Sequence, residues 1–141
     1  MVRQAGPGEE AYWTVPGGAA EPGEFVTDAL AREVHEETGL RVVDPGALAF
    51  AAQVDDRREG WFATVWTWDV AHWEGELAVD DPDGLVLEAA WVPLAEATER
   101  LDLVSWQPLT ARYLRGELEP KSFWLRRVHE DGSEEWPKVF T

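Results

Sequence analysis

Gly18-Ala19-Ala20-Glu21-Pro22-Gly23-Glu24-Phe25-Val26-Thr27-Asp28-Ala29-Leu30-Ala31-Arg32-Glu33-Val34-His35-Glu36-Glu37-Thr38-Gly39-Leu40 is the stretch whose reading decides the fold. From Phe25 its pattern is helical, with Thr27 or Gly23 as the candidate start. Leu30, Ala31 and Val34 share one side, and Gly39 stands where a helix stops. At roughly 100° per residue, Glu33, Glu36 and Glu37 fall within an arc of about 100° beside that apolar side. Like charges so spaced cost a few tenths of a kcal/mol per pair. They also crowd the C-terminal end of the helix, where the dipole disfavours anions. A helix built only for stability would avoid this arrangement. A cluster of hard carboxylate oxygens is what Mg²⁺ or Mn²⁺ prefers. The competing reading is a solvated acidic helix face.

The spacing separates the two. Gly18 is followed by five residues and Glu24, then by seven residues and Arg32-Glu33-Val34-His35-Glu36-Glu37-Thr38-Gly39-Leu40. This resembles the Nudix box, Gly-x5-Glu-x7-Arg-Glu-U-x-Glu-Glu-x-Gly-U with U aliphatic, at every specified position. The preceding Trp13-Thr14-Val15-Pro16-Gly17 is similar to the strand that enters the box. Trp91-Val92-Pro93-Leu94 resembles a strand-to-helix junction of the same family. The resemblance covers roughly residues 2–115.

The resemblance implies an α/β/α sandwich around a mixed sheet, with the box as a loop–helix–loop. It implies a Mg²⁺- or Mn²⁺-dependent hydrolase that cuts a phosphoanhydride bond in a nucleoside diphosphate linked to another group. Glu36 and Glu37 are then the primary metal ligands, and Glu33 a third ligand or the general base. Arg32 would hold the glutamates by ion pairing, with Glu24 a further partner. Gly17 and Gly18 would let the backbone approach metal and phosphates closely. The base sits either in the box or on a later loop, where Glu88 is the candidate. The alternative is a non-catalytic nucleotide- or partner-binding module, which would have no need for all three glutamates.

Outward from the box, the chain reads as one α/β domain of 141 residues. Strands are expected at Tyr12–Val15, Leu40–Val43, Ala47–Val54, Trp61–Val70 and Leu85–Val92. Arg57–Gly60 reads as a hairpin turn and Asp80–Gly84 as a loop. Helices are expected from Pro93 to Leu101 and from Trp106 to Arg115. A C-terminal hairpin extension at about 121–140 turns at Asp131-Gly132. Asp81-Pro82-Asp83-Gly84 hints at a calcium loop but lacks the spacing of one.

The formal charge is −16, and 45% of residues are hydrophobic, nine of them Trp. Such a chain is too apolar for disorder, and its acidity argues against general nucleic-acid binding or docking on anionic membranes. The absence of cysteine excludes disulfides, thiol chemistry and cysteine-ligated metals. With no long apolar run or signal pattern, a cytoplasmic protein acting on a small nucleotide-type molecule is expected. The acids are concentrated. Residues 18–40 hold six against one base, and residues 74–88 hold six against none.

Among the aromatic residues, Trp66 is the candidate for stacking on a base, most other rings reading as core. Arg57 is the candidate for meeting phosphate, against a plain reading as a solvated turn. Family members usually carry strand before the segment that reads here as Val2-Arg3-Gln4, so an N-terminal strand missing or truncated is expected. A bare sheet edge invites association, so the C-terminal hairpin or a second subunit, as in a homodimer, would cover it.

Overall fold

A computed structural model describes residues 1–102 and 108–137, without the side chain of Asp102. Its strands are β1 (Val2–Gln4), β2 (Tyr12–Thr14), β3 (Arg41–Asp44), β4 (Ala47–Asp56), β5 (Trp61–Asp69), β6 (His72–Glu74), β7 (Val86–Ala89), β8 (Ser122–Val128) and β9 (Glu134–Glu135). Its helices are α1 (Val26–Thr38), α2 (Leu94–Asp102) and α3 (Pro108–Leu114). Alternation of apolar and polar residues and the turn residues between them account for the strands.

The box helix α1 ends as its sequence requires. Gly39 takes a left-handed conformation at φ 76° and its N–H donates to the His35 carbonyl. The helix start differs from the expectation. Phe25, in extended conformation, precedes the first turn with no capping side chain, and neither Thr27 nor Gly23 fills that role. The carbonyls at the acidic C-terminal end are met by another segment. Ala78 N–H donates to Thr38 O at 2.8 Å and Asp80 N–H to Glu36 O at 2.9 Å, which satisfies groups that a helix end leaves open.

The strands form three sheets, β2-β1-β7, β3-β6 and β5-β4-β8-β9. In the first, β1 lies between β2 and β7, antiparallel to both. The β1 strand is three residues long, with Val2 and Thr14 buried in register on one face. Trp13 points to the other face, where the Arg100 guanidinium of α2 lies 4.3 Å over its ring. α2 thus covers one side of this sheet, while α1 packs against β3 and β7. The β7 strand stops at Ala89, short of the expected Val92. His72–Glu74, a strand that the hydrophobic pattern does not mark, pairs with β3.

The four-stranded sheet is mixed, in the order β5-β4-β8-β9. The β4–β5 hairpin turns at residues 57–60 as expected. β8 lies parallel to β4 from the Phe50–Ser122 pair to the Asp56–Val128 pair, so the C-terminal segment covers an edge of β4, in a sheet other than that of β1, where a bare edge was expected. Only Glu134–Glu135 of the hairpin's second arm is strand, and residues 138–141 lie outside the described ones. Ala49, Phe50, Ala52, Val54, Leu109 and Leu118 form the core between this sheet and α3. The α3 helix begins at Pro108, and Trp106, expected to open it, lies outside the described residues.

Candidate active site

Arg32 organises the box. Its Nε donates to Glu24 Oε1 at 3.0 Å and its Nη2 to Glu24 Oε2 at 3.1 Å. Its Nη1 reaches Glu33 Oε1 at 2.8 Å and Glu36 Oε2 at 3.1 Å, and Nη2 also meets the Ala19 carbonyl at 3.0 Å. A planar guanidinium with five fixed donors can span three carboxylates in this way; a lysine cannot. The bonds to Glu24 and Glu33 raise the Arg32 pKa, and the bond from Arg32 holds Glu24 below its ordinary value. The expected pairing of Arg32 is therefore present with Glu24, Glu33 and Glu36, and Glu37 is outside it.

Glu37 is treated differently. It is buried, takes no bond from Arg32, and accepts one N–H, from Gly17, at 2.8 Å. Burial pushes its carboxyl up to about 7, against the Gly17 bond, with Glu33, Asp81 and Glu36 adding repulsion. Asp81 is thereby part of the cluster. Its loop is fastened to the helix end through the Ala78 and Asp80 amides, so the two acidic segments of the sequence do meet. In the sequence Asp81 stands out only within a run that falls short of a calcium loop; the acids at 80–83 are the available signal.

The glycines fit the same design. A Cβ added to Gly18 would run into the Glu33 carboxylate, which would have to move from its place beside the loop. Gly17, at φ 155°, presents its amide to Glu37. Among the described residues no three acidic or histidine side chains converge as an ion would require, because Arg32 draws Glu33 and Glu36 to itself. The donor set nonetheless suits a hard divalent cation. Its oxygens are all carboxylate, Gly18 leaves room at Glu33, and Glu37 is a buried acid with a single donor.

The remaining candidates lie apart from the Arg32 cluster. Glu88 sits on β7 opposite Arg3, with Arg3 Nε 3.2 Å from its Oε2, and it is not among the charges acting on Glu37. Arg57 occupies the β4–β5 turn, where its side chain pairs with Asp55 at 3.2 Å and its N–H donates to Val128 O. Trp66 stands on β5, 45% exposed, its ring open to solvent.

Comparison with known proteins bears on the family and the fold. The NUDIX domain model matches residues 1–114, and the chain belongs to the Nudix family. It is 32% identical over 113 residues to the human 8-oxo-dGDP phosphatase NUDT18, covering 77% of this chain and 33% of that protein. The Nudix hydrolase YvcI of Bacillus subtilis is 47% identical over 34 residues, 24% of this chain and 22% of its own length. A crystal structure of a MutT mutator protein from Bacillus halodurans shares the fold, with a TM-score of 0.65 at 21% identity over 96% of this chain and 88% of that one. The chain spans about a third of the length of the first curated relatives it matches. No helix among the described residues is long and apolar enough to cross a membrane.

Proposed function

We propose that the chain is a divalent-metal-dependent hydrolase of the phosphoanhydride bond in a nucleoside diphosphate linked to another group. The observation that carries this reading is the division of labour among the box acids: Arg32 orders Glu24, Glu33 and Glu36, while buried Glu37 is left with one backbone donor. Glu33, Glu36 and Glu37 would hold Mg²⁺ or Mn²⁺, which neutralises phosphate charge and lowers the pKa of water when bound.

The chain's own residues then have separable tasks. Arg32 fixes the carboxylates in a common array before substrate arrives, so little reorganisation is left to the reaction. Gly17 and Gly18 keep the loop free of side chains where phosphate oxygens must approach. A carboxylate must accept the proton of the attacking water from hydrogen-bond distance. Glu33 is the first candidate: its Oε1 is held by Arg32, and its Oε2 has no partner among the described residues. Glu88 is the second, and would first have to leave Arg3. The similarity to a phosphatase of 8-oxo-dGDP supports a nucleotide substrate.

The test is phosphate release with Mg²⁺ across nucleoside triphosphates, nucleotide sugars, ADP-ribose and dinucleoside polyphosphates. Glu36→Gln abolishes turnover and leaves the fold intact; undiminished turnover in that variant sinks the metal assignment. Thermal shifts on ligand addition with no turnover of any compound would instead identify a non-catalytic nucleotide-binding module.

A further inference from the structure

One edge of the mixed sheet is unprotected. β5 pairs with β4 and with no other strand, and no backbone hydrogen bond is found on its outer side among the described residues. Such an edge is a template for another strand, and folded proteins ordinarily blunt it by short length, Lys, Pro, a bulge or a covering segment. The other edge strands are short: β2 and β6 have three residues, β3 and β7 four, and β9 two. β5 has nine, and residues 61–68 contain no charge, Pro or Gly although the chain carries −16. The irregularity in its pairing falls on β4, at Leu48/Phe50, so β5 runs evenly from Trp61 to Thr67.

The faces beside this edge are open as well. Phe62 and Trp66 project to one face and are 66% and 45% exposed; Trp61 and Val65 project to the other and are 39% and 44% exposed. Val65 is paired with Ala52, which is buried in the core, so the core stops at β4 and β5 is its rim. The four side chains offer on the order of 400 Å² of apolar surface, about half of what one partner contributes to a specific interface. The backbone edge adds the directional part.

The strand is also its own complement. Antiparallel pairing about Val65 sets Phe62 opposite Trp68, Ala63 opposite Thr67 and Thr64 opposite Trp66, with Trp66 diagonal to Phe62 and to its own counterpart. No like charges are opposed. At each end Asp69 comes beside the turn that carries Arg57, Arg58 and Glu59, which is net positive in an acidic chain. Parallel pairing would instead set Asp69 against Asp69, and a basic partner strand would find no acid along residues 61–68.

We propose that β5 pairs antiparallel with β5 of a second copy of this chain, across a twofold axis at Val65, so that the mixed sheet continues through both molecules. A twofold contact uses each feature twice and closes on itself. It covers the edge and gives Phe62 and Trp66 apolar neighbours. The small area makes the dimer weak and concentration-dependent. The proposal is independent of the hydrolase reading.

Sedimentation velocity of the purified chain, from micromolar to near-millimolar concentration, is expected to show monomer passing into dimer. Val65→Lys sets two ammonium groups against each other and should weaken the dimer by at least about tenfold. Because lysine lowers the net negative charge of each chain, general repulsion does not account for such a loss. Phe62→Lys should act in the same way at a still more exposed position, and thermal melting followed by circular dichroism checks that both variants are folded. Cross-linking reads the register without either of them. The chain has no cysteine, and directly paired Cα atoms about 4.5–5.5 Å apart suit a disulfide. Under mild oxidation Val65→Cys is expected to form a covalent dimer much faster than Ala95→Cys, an exposed position on α2. A chain that stays monomeric throughout, with Val65→Cys cross-linking no faster than Ala95→Cys, overturns the proposal. So does a dimer that the folded lysine variants leave as tight as the wild type.

Discussion

Replacing Glu37 by Gln should make the metal-free protein more stable, and only above a definite pH. The Glu37 carboxyl is buried among Glu33, Asp81 and Glu36, and its pKa stands near 7 rather than at the ordinary 4.5. A carboxyl raised in the folded state binds its proton more tightly there than in the unfolded chain. Its penalty on folding is therefore absent below 4.5, grows between 4.5 and 7, and is complete above 7. At 1.36 kcal/mol per pKa unit the full penalty is about 3 kcal/mol. Gln keeps an acceptor for the Gly17 N–H, and the extra strength of that bond to a charged carboxylate is already contained in a pKa of about 7, which the bond lowers. The gain at pH 8 is therefore about 3 kcal/mol, or roughly 10 °C in Tm for a domain of this size. The assay is thermal unfolding of wild type and Glu37→Gln in chelator at pH 8, 7, 6 and 5, followed by circular dichroism. The difference between the two proteins should shrink steadily, to about a quarter of its pH 8 value at pH 5. A variant no more stable than wild type at pH 8, or a gain that persists unchanged at pH 5, would refute the reasoning.

Two further substitutions separate the loop from the guanidinium. Gly18→Ala forces the Glu33 carboxylate away from Arg32, because the new methyl would occupy its place; turnover should fall at least tenfold while Tm changes by less than about 4 °C, on the order of 1 kcal/mol. Arg32→Lys keeps the charge but reduces a five-donor fork to a point contact, so Glu24, Glu33 and Glu36 can no longer be held together; kcat should drop tenfold or more with a smaller change in KM, and an unchanged kcat would remove Arg32 from the positioning role.

What was legible in the chain follows from the range over which each cause acts. The end of α1 was readable because Gly39 does its work at its own position. The start was not, because Phe25 precedes the helix without a capping side chain, leaving no local mark for Thr27 or Gly23 to be judged against. Charge could be counted along the chain, and the excess of acids at 18–40 and 74–88 pointed to a cation. What the count could not contain is that the amides of Ala78 and Asp80 fasten the second segment onto the carbonyls of the first, which sets Asp81 against Glu37. The strand β8 arrives beside β4 through a parallel pairing, and parallel neighbours share no turn that announces them. The box residues thus stand within 23 consecutive positions, whereas the approach of the second acidic segment to them is assembled only by the fold.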